Sequence, residues 1–233
     1  MDSYLILQEV LAMRNKSKYQ ELVKEFPHLF TEEGLKVITD ENEIAEFEKK
    51  EKEAGRNTEI GVVYESPWRY MLRDLVKTDS GKMFGYERVV PVRTGGAAVL
   101  PMYNDQVLLI RQYRHPVQGW RWEIPRGFGT EGATAEKNAA KELFEEAGIS
   151  ENEASFERLG SLNTDSGLTS DEVSLFVAKI SALNISLLNK EDSEVISHVR
   201  LFGMAEIRDM VAAGEIKDSF TLSALGIWML QKT

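Results

Sequence analysis

The stretch RWEIPRGFGTEGATAEKNAAKELFEEAGI, residues 121–149, joins an extended apolar segment to a helix through a glycine-rich loop. Thr134 suits the N-cap of that helix, and Gly148 suits the left-handed position at its end. An apolar stripe at helical spacing is formed by Ala139, Ala140, Leu143, Phe144 and Ala147. The stretch therefore predicts a strand, a tight loop and an amphipathic helix that packs on a sheet.

Three glutamates, Glu142, Glu145 and Glu146, lie on roughly the opposite side of this helix. Like charges three and four positions apart repel each other by a few tenths of a kcal/mol. One interpretation is a solvated acidic face, partly compensated by Lys141. The other is a site for a hard cation, because the glycines starting at Gly127 let the backbone approach a ligand, and Mg²⁺ prefers oxygen ligands shared with substrate phosphates.

Composition limits the possible partners. The 233 residues carry a formal net charge of −10 and no cysteine, so nucleic acid is an unfavourable partner and disulfides are excluded. The start MDSYLILQEVLAMRNK does not resemble a signal peptide, and no apolar run approaches the length of a membrane span. We expect a cytoplasmic protein without a membrane partner. The three histidines lie far apart, and neither a G-x-S-x-G elbow nor a P-loop is present.

The rest of the chain predicts three regions. Residues 1–57 are charged and helical, residues 58–90 form a β subdomain built on a hairpin, and residues 91–233 alternate strands and helices irregularly. This alternation predicts an α/β fold in which helices cover both faces of a mixed sheet. The β subdomain is rich in apolar residues for its size, which predicts a homodimer interface.

The quoted stretch resembles the Nudix box, G-x5-E-x7-R-E-U-x-E-E-x-G-U, in which U is a bulky aliphatic residue. The matching positions are Gly127, Glu142, Leu143, Glu145, Glu146, Gly148 and Ile149. Ala133 stands where the family has its first glutamate, and Lys141 stands where it has arginine. In the family those two side chains pair and support the loop and the helix.

The resemblance implies a Nudix α/β/α sandwich and a cofactor, Mg²⁺ or Mn²⁺. The implied ligands are Glu142, Glu146 and the backbone carbonyl of Arg126, with Glu145 ligating or supporting a second ion. Residues 58–231 resemble the branch that hydrolyses ADP-ribose and other nucleoside diphosphate sugars. Its implied substrate contacts are Arg111, Arg114, Gly127 and the loop at Ser166 and Gly167, where Ser166 replaces a proline of the family pattern. For ADP-ribose the products are AMP and ribose 5-phosphate.

The general base is expected in the acidic loop NKEDSEVI, which resembles a family loop that delivers a base and a further metal ligand. We assign Glu191 as base and Glu194 as ligand, with Glu145 as the next candidate base. Two alternatives stay open at this point. One is a Nudix-like module that senses a nucleotide without turning it over, and the other is a hydrolase that acts on a dinucleotide.

Overall fold

The computed structural model describes residues 15–31, 34–56, 58–183 and 195–232, which divide into two compact units. The first unit holds the described residues up to Val92 together with Asp165–Asp171. The second holds Arg93–Thr164 and the described residues from Glu172 onward. Within these described ranges, no helix is long and apolar enough to cross a lipid bilayer.

The first unit is built around a four-stranded antiparallel sheet. Its elements are α1 (residues 15–25), a 3₁₀ turn (Pro27–Leu29), β1 (Lys36–Ile38), α2 (Glu41–Glu53), β2 (Gly61–Glu65), β3 (Arg69–Lys77) and β4 (Met83–Pro91). Strand β3 pairs with β4 along its whole length, and β1 and β2 pair with successive parts of β3.

Helix α1 packs into the same core as this sheet. Tyr19 and Leu22 are buried with Leu72 and other apolar residues of β3. The Tyr19 hydroxyl donates a 2.5 Å hydrogen bond to Asp74 Oδ1, and Arg88 Nε donates a 2.6 Å bond to Oδ2 of the same carboxylate. A buried carboxylate needs such partners to offset its lost hydration. The separation of residues 1–57 from residues 58–90 stays a prediction, and the described part of the first region shares a core with the second.

The segment Asp165–Asp171 pairs with β4. The Val89 N–H donates to the Leu168 carbonyl at 2.8 Å, and the Ser170 N–H donates to the Val89 carbonyl at 3.1 Å. The Tyr86 hydroxyl also donates to the Gly167 carbonyl at 3.1 Å. This segment is therefore structurally part of the first unit, although it lies far along the chain from β4.

The second unit is a mixed sheet covered by helices. Its elements are β5 (Ala97–Tyr103), β6 (Gln106–Arg114), a 3₁₀ turn (His115–Val117), β7 (Gly119–Glu123), β8 (Arg126–Gly127), α3 (Ala135–Ala147), a 3₁₀ turn (Glu151–Glu153), β9 (Ala154–Asn163), β10 (Glu172–Ile180), β11 (Ile196–Gly203), α4 (Met204–Ala212) and α5 (Ser219–Gln231). The strand order is β11-β6-β5-β10-β9, with β10 parallel to β5 and the other pairs antiparallel.

Two apolar clusters lie on the two faces of this sheet. Leu143 and neighbouring residues of α3 pack with alternate residues of β5 and β6, such as Val99 and Leu108. Ile207 of α4 and Leu225 of α5 pack with the other set of alternate residues. Because side chains alternate between the faces of a strand, these two clusters define a helix–sheet–helix sandwich. The predicted fold class is confirmed.

Strands β5 and β6 pair with each other only near the turn that joins them, and another segment lies between them farther along. Asn104 and Asp105 turn the chain with φ of 47° and 60°, as a two-residue hairpin loop requires, and β5 pairs with β6 only next to this turn. Farther along, β6 pairs with β7 and β5 pairs with β8. Residues 119–127, the wedge segment, thus fill the gap between the two strands.

Candidate active site

The wedge segment ends against the carboxylates of α3. Glu142 and Glu146 are only 4% and 0% exposed, so these two glutamates do not form a solvated acidic face. The Arg126 N–H donates a 2.9 Å hydrogen bond to Glu146 Oε2. Gly127 lies so close to the Glu142 carboxylate that a Cβ at this position would overlap it. The structure therefore brings four of the sequence-predicted residues, Arg126, Gly127, Glu142 and Glu146, to one place.

Helix α3 has the predicted ends that fix this arrangement. Thr134 Oγ1 accepts a 3.2 Å hydrogen bond from the Lys137 N–H, and Gly148 ends the helix with φ of 68°. Glu142 and Glu146 lie one turn apart, so they project to the same side of the helix. The sequence places Phe144 in the apolar stripe, but its side chain is 40% exposed.

The loop before α3 is held by Asn138, a residue that the sequence analysis did not identify. Asn138 Oδ1 accepts a 3.1 Å hydrogen bond from the Thr130 N–H, and Asn138 Nδ2 donates a 2.9 Å bond to the Gly95 carbonyl. Gly129 fits against the Thr94 carbonyl with no room for a Cβ. The sequence does carry one signal for this role: Asn138 is a polar residue directly beside Ala139 of the apolar stripe. Asn138 thus ties the loop to the helix, a supporting role that the resemblance gives to a glutamate–arginine pair.

Glu145 has a different environment from the other two helix glutamates. Lys141 Nζ lies 2.6 Å from Glu145 Oε2 and 3.5 Å from Glu142 Oε1. Although partial burial opposes it, the hydrogen bond with Glu145 and the two nearby carboxylates raise the pKa of Lys141. Lys141 thus compensates part of the negative charge at this end of the site.

The donor set at the end of the wedge segment fits a divalent cation. Two buried carboxylates, Glu142 and Glu146, face a backbone that approaches without side-chain interference at Gly127. Hard cations such as Mg²⁺ take oxygen ligands and share them with substrate phosphates. Within the described ranges, no three acidic, histidine or cysteine side chains form a group that could hold a metal ion. Among the described residues, a cation here would rely on two carboxylates, the backbone and substrate.

Arg114 forms an ion pair with the fully buried Glu123 of β7. Burial raises the pKa of Glu123, while the charges of Arg114 and Arg126 oppose that rise. Burial also works against the charge of Arg114, but the hydrogen bond with Glu123 and the charges of Glu123 and Glu146 raise its pKa. Glu146 therefore contributes to the field at Arg114, and this guanidinium belongs to the same polar cluster. The sequence analysis did not identify Glu123.

Arg111 has a separate environment. It lies three positions before Arg114 in β6, so the two side chains leave the strand on opposite faces. The Arg111 guanidinium lies over the Trp120 ring, with 5.4 Å from Cζ to the ring centroid. The structure does not bring Arg111 to the glutamates of α3.

The remaining sequence-predicted residues lie in other parts of the chain. Ser166 and Gly167 are exposed in the first unit, where the Gly167 N–H donates a 3.0 Å hydrogen bond to Asp165 Oδ1. Glu191 and Glu194 lie outside the described residues.

Comparison with known proteins gives consistent results. A family model described as NUDIX domain matches residues 92–220. ADP compounds hydrolase NudE of Escherichia coli (strain K12) is 25% identical over 140 residues, which are 60% of this chain and 73% of that protein. Methanol dehydrogenase activator of Bacillus methanolicus is 26% identical over 147 residues, which are 63% of this chain and 78% of that protein.

A solved structure has the same fold. A crystal structure of ADP compounds hydrolase superposes with a TM-score of 0.63 and 20% sequence identity, covering 74% of this chain and 90% of that chain.

Proposed function

This chain belongs to the NUDIX domain family and is a Nudix hydrolase, and we propose that it hydrolyses the diphosphate linkage of a nucleoside diphosphate sugar with Mg²⁺ or Mn²⁺ as cofactor. ADP-ribose, cleaved to AMP and ribose 5-phosphate, is the first candidate substrate. The observation that carries the proposal is the pair of buried carboxylates, Glu142 and Glu146, held against the backbone of Arg126 and Gly127. A relative from Escherichia coli bears the name ADP compounds hydrolase, and so does a solved structure with the same fold.

In this proposal Glu142, Glu146 and the Arg126 carbonyl hold the cation, and Glu145 ligates or supports a second ion. A divalent cation would neutralise charge on the diphosphate and lower the pKa of the attacking water. The Arg126 N–H orients the Glu146 carboxylate through its 2.9 Å hydrogen bond. Such outer hydrogen bonds to ligands fix their orientation and strengthen metal binding.

Substrate contacts in this proposal come mainly from Arg114. Its side chain is 26% exposed, and its pairing with Glu123 leaves the planar guanidinium in a fixed orientation. A fixed guanidinium suits phosphate oxygens, because its N–H groups form a rigid fork. Gly127 would allow a phosphate close to the backbone, Arg111 is a secondary candidate, and Ser166 and Gly167 would contact the sugar.

The proton acceptor in this proposal is Glu191, with Glu194 as a further metal ligand. If neither serves, Glu145 is the next candidate, since it is less buried than Glu142 and Glu146. Nucleic acid is not expected to bind, and the homodimer and the cytoplasmic location stay predictions.

A sensor that binds a nucleotide without hydrolysis is the second candidate. It is favoured by Ala133 and Lys141, which depart from the Nudix box, and by the similarity to a protein named methanol dehydrogenase activator. Against it, Asn138 supports the loop in another way, and all three helix glutamates are present. A hydrolase of dinucleotides is the third candidate.

The test is a panel of nucleoside diphosphate sugars and dinucleotides incubated with Mg²⁺, with products resolved by mass spectrometry. We expect hydrolysis of a nucleoside diphosphate sugar and a loss of at least about 100-fold in Glu146→Gln, the scale lost with a key transition-state stabiliser. The glutamine oxygen can still accept the Arg126 N–H, so the variant should keep its fold. Binding without turnover across the panel would instead support the sensor, and near-native turnover by Glu146→Gln would reject the metal site.

A further inference from the structure

The N-terminus of α5 carries a polar pair, in which Thr221 is fully buried and the Asp218 side chain is 8% exposed. Asp218 Oδ2 accepts two hydrogen bonds from Thr221, one from its N–H at 2.9 Å and one from its hydroxyl at 2.8 Å. The first is an ordinary helix cap. The second fixes the role of the Thr221 hydroxyl, because Thr221 is fully buried and its hydroxyl has only one proton to donate.

Because that proton is donated to Asp218, the Thr221 hydroxyl can take part in a second hydrogen bond only as an acceptor. The donor of this second bond is the N–H of Ile124 in the wedge segment, at 3.0 Å from Thr221 Oγ1. Asp218 therefore fixes the direction in which Thr221 accepts. The capping pair therefore holds the backbone at Ile124, 97 residues away, as well as the N-terminus of its own helix.

Ile124 lies two residues before Arg126, and the chain between them has little freedom. The Pro125 carbonyl accepts a 3.0 Å hydrogen bond from the Val99 N–H, and the proline ring restricts φ. Anchoring Ile124 on one side and Pro125 on the other thus sets the position of the Arg126 N–H, which donates to Glu146.

Asp218 also contacts the side chain of Arg126. Arg126 Nη2 lies 3.5 Å from Asp218 Oδ1, and the guanidinium lies over the Phe220 ring with 4.4 Å from Cζ to the centroid. The first turn of α5 therefore holds Arg126 through both its side chain and the backbone that precedes it.

We propose that Asp218 and Thr221 are positioning residues for the metal site: they hold the Arg126 backbone in register with Glu146. This rests on the proposed function, in which the Arg126 carbonyl and Glu146 are metal ligands. Residues that orient metal ligands from outside typically change metal affinity or activity by about 10–100-fold when they are replaced. Neither residue need touch substrate or cation.

The test compares Thr221→Val with Thr221→Ser. Valine keeps the shape but removes the hydroxyl, whereas serine keeps the hydroxyl. We expect Thr221→Val to bind Mn²⁺ about tenfold more weakly in titration calorimetry, with a matching rise in the Mn²⁺ concentration that gives half-maximal hydrolysis. Thr221→Ser should restore both values to within about twofold of the unaltered protein, since the acceptor is present again.

Gln231→Leu is the matched control, because Gln231 ties the other end of α5 to the Leu159 carbonyl through a 3.1 Å hydrogen bond remote from the wedge segment. This variant should lose stability but keep its Mn²⁺ affinity. If Thr221→Val does not fold, Asp218→Asn is used. Its neutral amide loses the ion pair with Arg126, so weaker Mn²⁺ binding is expected there as well.

Unchanged Mn²⁺ affinity in Thr221→Val, no recovery in Thr221→Ser, or an equal loss in Gln231→Leu would each overturn the proposal. Where Thr221→Val does not fold, unchanged affinity in Asp218→Asn would overturn it. These outcomes differ from failure of the proposed function, in which the unaltered protein itself would bind no Mn²⁺ and hydrolyse no compound of the panel.

Discussion

Replacing Gly127 by alanine tests the metal site through a single methyl group. The added Cβ would overlap Cδ and both oxygens of the Glu142 carboxylate. To reach an ordinary van der Waals separation, the carboxylate must retreat by about 1 Å. The atoms that move are the end of a flexible side chain, so the backbone need not change and we expect the variant to fold.

The expected effect on catalysis follows from that displacement. A shift of about 1 Å in a positioning group can lower the rate about 100-fold. This corresponds to about 2.7 kcal/mol of lost transition-state stabilisation. Because Glu142 is the displaced group, we also expect weaker Mg²⁺ binding in Gly127→Ala.

The assay measures the rate of hydrolysis over a range of Mg²⁺ concentrations, with thermal unfolding to confirm the fold. The control is Gly226→Ala, since Gly226 is exposed in α5 and a Cβ there would meet nothing within 4 Å. Alanine at this position should raise the free energy of unfolding by about 1 kcal/mol and leave the rate unchanged. A folded Gly127→Ala with the unaltered rate and Mg²⁺ dependence would refute the assignment of Glu142 as a metal ligand.

Two further predictions concern the ion pair and the dimer. Arg114→Leu should lower stability near neutral pH by about 3 kcal/mol, because it leaves the Glu123 charge buried without its main partner. Burial raises the pKa of Glu123 in the folded state, so the stability from this carboxyl is fully present below its unfolded value of about 4.3 and is lost as pH rises through the folded value. Without Arg114, which opposes the effect of burial, the pKa of Glu123 rises further and its ionisation costs more stability than in the unaltered protein. The deficit in melting temperature should therefore grow from pH 5 to pH 8, and a constant deficit would contradict this account. Tyr64 is 62% exposed beside the exposed Val63, and exposed apolar side chains of this kind suit a dimer interface. Sedimentation at micromolar concentration should therefore show a dimer, and Tyr64→Glu should weaken it. A monomer before substitution would reject the interface.

Local signals in the sequence predict much of this fold. The cap at Thr134 and the left-handed end at Gly148 both depend on neighbouring residues, and each is present as predicted. The apolar stripe of α3 likewise indicates buried residues, at Ala139, Ala140, Leu143 and Ala147. Such features are encoded within a few positions, so periodicity and turn chemistry are sufficient to find them.

The site depends on contacts that no local pattern contains. Glu142 and Glu146 are buried because the wedge segment lies against them, and the helix sequence alone does not distinguish this from a solvated face. Asn138 and Thr221 are common polar residues whose partners lie 8 and 97 positions away. The resemblance to the Nudix box identified the three glutamates, but Asn138 stands at one of the unspecified positions of the box and Thr221 lies outside it.

The pairing of Asp165–Asp171 with β4 has consequences for folding during synthesis and for the choice of boundaries when a part of the chain is expressed. During synthesis the first unit cannot be completed when residue 92 leaves the ribosome, because the partners of Val89 are made about 80 residues later, at Leu168 and Ser170. A fragment trimmed to the region that matches the family model would carry this segment without the strand that it pairs with. Expression of either unit alone should therefore begin from designs that supply or remove these seven residues, and not from a cut at residue 92.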